Sequence, residues 1–190
     1  LNINMGKSEY PKVKEAKKKA KQDIFVKCWP KDDQRDALMM IFAPKDKAAQ
    51  KMLYELLEGC LVLPSKVLVV SESEPADFVK HPAGKITWLN PEDGRNAAKI
   101  QEYLLAADMA LVLEEHMKDI HEMMKHGVVV VGHEKSPMLE NYHPNLDSGN
   151  SFTFGSFNPW DVFMALVRAH ETYRFPYDWQ NIARNALKSV

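Results

Sequence analysis

The sequence predicts a doubly wound α/β domain built on a mostly parallel sheet. Three observations predict it. Short apolar runs of strand length alternate along the chain with helically periodic segments of about ten to fifteen residues. One of those runs, Val128 to Val131, is all valine, the β-branched composition of a central strand buried on both faces. Glycines fall where helical segments end, at Gly59 and Gly127.

The elements follow in order. Residues 1–10 are polar and are expected to form a flexible N-terminus, leaving 11–190 as a single domain. Lys12 to Ile24 is rich in helix formers and opens after Pro11, a favourable first-turn residue. Phe25 to Trp29 is a short apolar piece closed by Pro30. Leu38 to Phe42 reads as a buried strand. Asp46 to Leu57 reads as a helix, with Ala48, Met52, Leu53, Leu56 and Leu57 on one side. Lys66 to Val70 and Lys85 to Leu89 are the next strands, and Asn96 to Ala106 is a helix. Met109 to Leu113 is a strand, and Glu114 to His126 a helix stopped by Gly127. The valine strand and a last short strand, Phe152 to Phe154, precede the closing helices Asn158 to Tyr173 and Asp178 to Leu187. Ligands on such sheets bind beyond the carboxyl ends of the strands. The loops after Phe42, Val70, Leu89, Leu113 and Val131 are therefore the places where function is expected.

Bulk properties exclude several classes. A chain of 190 residues holds one domain with a real core and is too short for two large ones. Hydrophobic residues are 45% and charged residues 27%, ordinary values for a globular protein. The net charge of −1 gives no global attraction to nucleic acid or anionic membrane. The lysine run from Lys12 to Lys21 has no interleaved aromatics to stack on bases, so it reads as a solvated helix face. Cys28 and Cys60 lie far apart with no CxxC partner, against a zinc site or a disulfide framework. No apolar run approaches the roughly 18 residues of a membrane span. The opening LNINMGKSEY has no apolar signal core. A cytoplasmic protein is expected, and the missing initiator Met suggests a fragment or a processed product. No GxSxG, P-loop or GxGxxG motif is present.

The C-terminal third carries a specific pattern. Phe152, Phe154, Phe157, Pro159, Ala165, Leu166, Glu171, Thr172, Tyr173, Trp179, Arg184, Asn185 and Ala186 fall, in order and spacing, where bacterial starch and glycogen synthases carry matching residues. Upstream, Ala107-Asp108 before the strand, Met124-Lys125-His126-Gly127 before the valines, and the lysine-rich Lys12 to Ile24 stay in register with the same family. The chain thus resembles the C-terminal half of these GT-B retaining glucosyltransferases, over about residues 9–188 and most strongly over 107–188. The resemblance implies a Rossmann-like domain that holds ADP- or UDP-glucose, no metal or other cofactor, an α-1,4-glucan acceptor, and an N-terminal half completing the cleft.

The family's phosphate-binding elements are replaced here. Its Arg-x-x-x-x-Lys-Gly loop aligns with Ala43-Pro44-Lys45-Asp46-Lys47-Ala48-Ala49, so Ala43, Ala48 and Ala49 stand at the Arg, Lys and Gly positions. Lys45 and Lys47 are the remaining phosphate-binding candidates, although a lysine displaced along a loop is not an equivalent clamp. Its Glu-Pro-Cys-Gly-Leu loop becomes Glu114-Glu115-His116-Met117-Lys118. Glu114 is then the candidate catalytic carboxylate, unless the two glutamates simply favour a helix start. Its Thr-Gly-Gly turn becomes Lys135-Ser136-Pro137, where Lys135 and Ser136 are the phosphate-side candidates and Pro137 removes an amide donor. Its glycine before the Phe-Thr-Phe strand is Ser151.

Other constellations are weaker. His116, His121 and His126 recur at a spacing that spreads them around a helix, a poor metal site. His133 and Glu134 read as a polar loop, and Asp161 as a helix N-terminal charge. Tyr142, Trp160, Tyr177 and Trp179 offer rings for sugar stacking, with core packing as the default. Three readings of function stay open. One is a catalytically degenerate synthase domain, inactive alone, that binds a glucan, a nucleotide sugar or a partner. The second is the nucleotide-sugar half of an active glucosyltransferase. The third is a protein-interaction scaffold that dimerises or meets an N-terminal GT-B domain through the cleft face.

Overall fold

The computed structural model describes residues 6–72, 84–92, 94–114 and 119–190, with backbone only for 6–9 and 94–98. In chain order the elements are α1 (Gly6–Cys28), β1 (Ala37–Phe42), α2 (Lys47–Cys60), β2 (Ser65–Val70), β3 (Ile86–Leu89), α3 (Gly94–Ala106) and β4 (Met109–Leu111). They continue with α4 (Ile120–Lys125), β5 (Val129–His133), a 3-10 turn (Pro144–Leu146), β6 (Ser151–Phe154), α5 (Pro159–Tyr173) and α6 (Pro176–Lys188). The strands form a six-stranded sheet in the order β3-β2-β1-β4-β5-β6. Every pairing is parallel. This is the predicted Rossmann-like α/β architecture. The order reverses between β1 and β4, which opens a crevice at their carboxyl ends.

The alternating side chains of each strand sort the core into two layers. On β1, Ala37, Met39 and Ile41 face α2, α5 and α6, while Leu38 and Met40 face α1, α3 and α4. The valine run splits the same way. Val129 and Val131 join the first layer, Val128 and Val130 the second, and all four are fully buried. Covering a Val, Leu or Met side chain contributes about 1.5–3 kcal/mol. Both faces of the central strands therefore demand helices, which is why the sheet is doubly covered.

Several boundaries differ from the sequence reading, for physical reasons. Helix α1 starts at Gly6 and takes in Phe25 to Cys28, because Ile24 and Phe25 pack on the sheet as part of one helical face. Gly59 does not stop α2, which continues to Cys60. A Cβ at Gly59 would sit 2.9 Å from the Phe163 ring, so glycine there lets α2 and α5 approach. Gly127 does end its helix, with φ +63°. Helix α4 is short, and residues 115–118 of the predicted Glu114–His126 helix lie outside the described residues. Strand β4 ends at Leu111, two residues early, and Val112 N–H still donates to Val131 O just past its end.

One buried polar node ties the layers together at the amino ends of the strands. The Asp108 carboxylate accepts from Lys21 Nζ at 2.6 Å and from Leu38 N at 2.9 Å. Lys21 Nζ also donates to the Tyr173 hydroxyl at 2.7 Å and lies over the Phe25 and Tyr173 rings. α1, β1, β4 and α5 thus meet at a single carboxylate. Removing one partner of a buried, hydrogen-bonded ion pair leaves an uncompensated charge. Asp108→Ala is expected to destabilise the fold by about 3–5 kcal/mol, read as a lower urea midpoint at unchanged slope. A loss below about 1 kcal/mol would show that the node is dispensable.

Candidate functional site

The crevice at the β1/β4 switch point is formed by the loop Ala43–Asp46 on one side and by Val112–Glu114 on the other. The first loop is tied down at its start, where Ala43 N–H donates to Val70 O at 2.9 Å. Buried Pro44 presents its carbonyl to Gln50 Nε2 at 2.8 Å. Asp46 then caps α2 from an extended backbone, its Oδ2 accepting from Ala49 N at 2.9 Å. A helix N-terminus at this position is an anion site in principle. Here the chain's own carboxylate already occupies it.

The second side does the same. Glu114 Oε1 accepts from the backbone N–H of Lys45 at 3.2 Å, across the switch point. The structure therefore brings together two of the residues marked by sequence, but through Lys45's backbone and Glu114's carboxylate. Lys45, Lys47 and Glu114 are all exposed. Glu115, His116, Met117 and Lys118 lie outside the described residues.

The amides at the start of the β5 loop are taken up by β6 and by the loop itself. Glu134 N–H donates to Phe154 O at 3.0 Å, Lys135 N–H to His133 Nδ1 at 3.2 Å, and Ser136 N–H to His133 O at 3.0 Å. Lys135 is exposed and Ser136 is buried, with the Ser136 carbonyl accepting from Leu139 N. Lys135 and Ser136 sit on the β5 side of the sheet, apart from the Lys45–Glu114 contact between β1 and β4.

His133 proves to be a packing residue. It is 3% exposed, stacks on Phe157 at 4.6 Å and meets Phe154 edge-on at 5.6 Å. Accepting the Lys135 amide at Nδ1 places the proton of the neutral ring on Nε2. Gly132 went unmarked in the sequence, yet a Cβ there would lie 2.6 Å from Leu139 Cδ1. The signal was the glycine closing the valine run. Ser151 is fully buried, and its hydroxyl donates to Glu140 O at 2.8 Å, which anchors β6.

The remaining candidates separate cleanly. Tyr142 is buried and hydrogen-bonds Asp178 at 2.8 Å, and Trp179 packs against Phe152 and Tyr173. Trp160 and Tyr177 are exposed, at 77% and 69%. Asp161 stands in the first turn of α5, as predicted, beside the capping Asn158. Among the described residues no group of His, Cys, Asp and Glu could hold a metal ion, and no helix is long and apolar enough to cross a membrane. Both cysteines are free, and burial pushes the Cys60 thiol up to about 12.

Among the described residues, the crevice therefore presents two carboxylates, Glu114 and Asp46, each holding a backbone amide, and their negative charge opposes an anionic ligand. Asp46→Ala is expected to cost about 1 kcal/mol of stability through the lost cap, measured by chemical denaturation. An unchanged midpoint would mean that the Asp46–Ala49 bond is not formed in solution.

Comparison with known proteins agrees with this architecture. No family model matches the sequence. Glycogen synthase 1 of a Synechocystis species is 29% identical over 69 residues, covering 35% of this chain and 14% of that protein. The solved catalytic domain of starch synthase IV from Arabidopsis thaliana, bound to ADP and acarbose, superposes with a TM-score of 0.67 at 13% identity. That superposition covers 90% of this chain and 38% of the other. The chain therefore spans well under half the length of either protein. In fold, and in sequence over the matched stretch, it is a starch/glycogen-synthase-like α/β domain of the GT-B type.

Proposed function

We propose that this domain keeps the architecture of a synthase's nucleotide-sugar-binding half without its donor chemistry. It acts in the cytoplasm as a non-catalytic module that meets an α-glucan or a partner domain. The observation that carries this reading is the occupation of the switch-point donors by Glu114 and Asp46. Retaining glucosyl transfer without a metal needs fixed positive charge on the leaving diphosphate. At the corresponding positions the chain has Ala43 and Ala48. Lys45 and Lys47 are exposed and not clamped by a rigid fork, so they supply charge without alignment. The self-satisfied β5 loop supports the same reading, since its amides are not free to meet a sugar phosphate.

The solved starch synthase carried both ADP and an acarbose molecule, so both ligand classes are the natural probes. The test is calorimetric titration of the chain with ADP, UDP, ADP-glucose and UDP-glucose, and separately with maltoheptaose. No nucleotide binding at millimolar concentration is expected. Millimolar or tighter binding that weakens in Lys45→Ala or Lys47→Ala would overturn the proposal. It would restore the reading in which Glu114, Lys45 and Lys47 serve an active transferase. Binding of maltoheptaose alone would assign the glucan role. Silence with both ligands, together with a concentration-dependent dimer in solution scattering, would assign the scaffold role.

A further inference from the structure

The sheet ends at β6, so one side of that strand has no strand of the sheet beside it among the described residues. An open edge of this kind presents N–H and C=O groups that pair readily with another chain. Ser151 and Thr153 are the residues of β6 that send these groups outward, and both have partners. Ser151 N–H donates to Glu140 O at 3.1 Å, and Tyr142 N–H donates to Ser151 O at 2.8 Å. This is the bonding of a parallel ladder one bridge long, with Asn141 opposite Ser151. Two residues on, the same ladder would need Tyr142 O to accept from Thr153 and residue 144 to donate to it. Residue 144 is proline and has no N–H. The chain leaves the edge there and enters the 3-10 turn.

Two side chains take over where the backbone leaves. Asn141 Oδ1 accepts from Thr153 N at 3.1 Å, and Asn141 Nδ2 donates to Tyr142 O at 3.3 Å. Arg168 of α5 donates through Nη2 to Thr153 O at 2.6 Å and through Nη1 to Asn141 Oδ1 at 3.2 Å. Its guanidinium lies 6.0 Å from the centre of the Phe152 ring. An amide and a guanidinium thus stand where a seventh strand would place its acceptor and its donor.

We propose that Asn141 and Arg168 form a plug that closes the β6 edge and keeps a second copy of this chain from adding to the sheet. The strand itself offers no repulsion, since Ser151 to Phe154 carries no charge. A twofold contact between two β6 edges uses the same surface on both copies. With the plug in place it would bring two Arg168 guanidiniums to one seam, where like charges oppose it. Arg168 is exposed and Asn141 half-buried, while α5 meets the core through Ala165, Leu166 and Ala169. The plug can therefore be removed without opening the core. Its role is independent of the crevice, which lies between β1 and β4.

The test compares the wild type with the double variant Asn141→Ala, Arg168→Ala by amide exchange and by sedimentation over a concentration series. In dilute solution the Thr153 amide of the double variant is expected to exchange at least about tenfold faster than in the wild type. At millimolar concentration the double variant is expected to associate beyond the wild type, and its Thr153 amide to regain protection as it does so. Thr153 protection in the wild type should not change with concentration. Three results would each overturn the proposal: a double variant that associates no more than the wild type, association that leaves its Thr153 amide fast, or wild-type Thr153 protection that rises with concentration. If the double variant does not fold, Arg168→Ala decides alone, because position 168 is exposed on α5. That variant is expected to associate beyond the wild type, whereas Arg168→Lys, which keeps the charge at the seam, is not. Equal association of Arg168→Ala and the wild type, or of Arg168→Ala and Arg168→Lys, would count against the plug.

Discussion

The Asp108 carboxylate sits where α1, β1, β4 and α5 converge, and the rest of the molecule is arranged around keeping that charge satisfied. Its partners come from distant points in the chain: Lys21, Leu38 N and, through Lys21, Tyr173. A charge taken out of water is costly unless its geometry is complete. With these partners in place, the lysine-rich start of the chain is fixed to the amino end of the central strands. The apolar layers can then close on both faces of the sheet. The same node explains why a helix with so little apolar surface in its first half is docked at all.

At the opposite end of the strands the logic is reversed. A doubly wound sheet leaves amide donors and helix N-termini pointing into the switch-point crevice, which suits an anion. In this chain Glu114 and Asp46 have turned those donors inward. The β5 loop closes on His133, whose ring is clamped by Phe154 and Phe157. Each change satisfies the backbone without a ligand. Among the described residues, these loops are therefore held in place by the chain's own side chains.

Much of the fold was legible because period and composition are local. The alternation of β1, the valine run of β5 and the helical stripe of α2 each reflect which faces are buried, and burial is set by which residues are apolar. Boundaries were less legible where the deciding atom is remote. Gly59 looks like a stop, yet it serves the Phe163 ring more than a hundred residues on. Phe25 to Cys28 looks like a separate apolar piece, yet the sheet recruits it into α1. At the site, the residue types were readable but not their pairing. Lys45 was marked as a phosphate-binding candidate and Glu114 as the candidate catalytic carboxylate, and they meet through a backbone amide. His133 passed as a polar loop residue, because nothing local announces the two phenylalanines around it.

The sequence by itself determined the parallel α/β class, the strand and helix inventory and the synthase-like pattern of the last third. The resemblance also carried the expectation that Ala43, Ala48 and Ala49 stand at that family's Arg, Lys and Gly positions. These are properties of residue type and spacing. Only the tertiary structure decided where the freed hydrogen-bond donors went and how a lysine-rich helix could be held against the sheet. Both depend on residues separated by roughly seventy to ninety positions in the chain and brought within hydrogen-bond distance by the β1–β4 pairing. Such contacts have no local signature, because the energy that selects them is electrostatic and acts only once the sheet has formed.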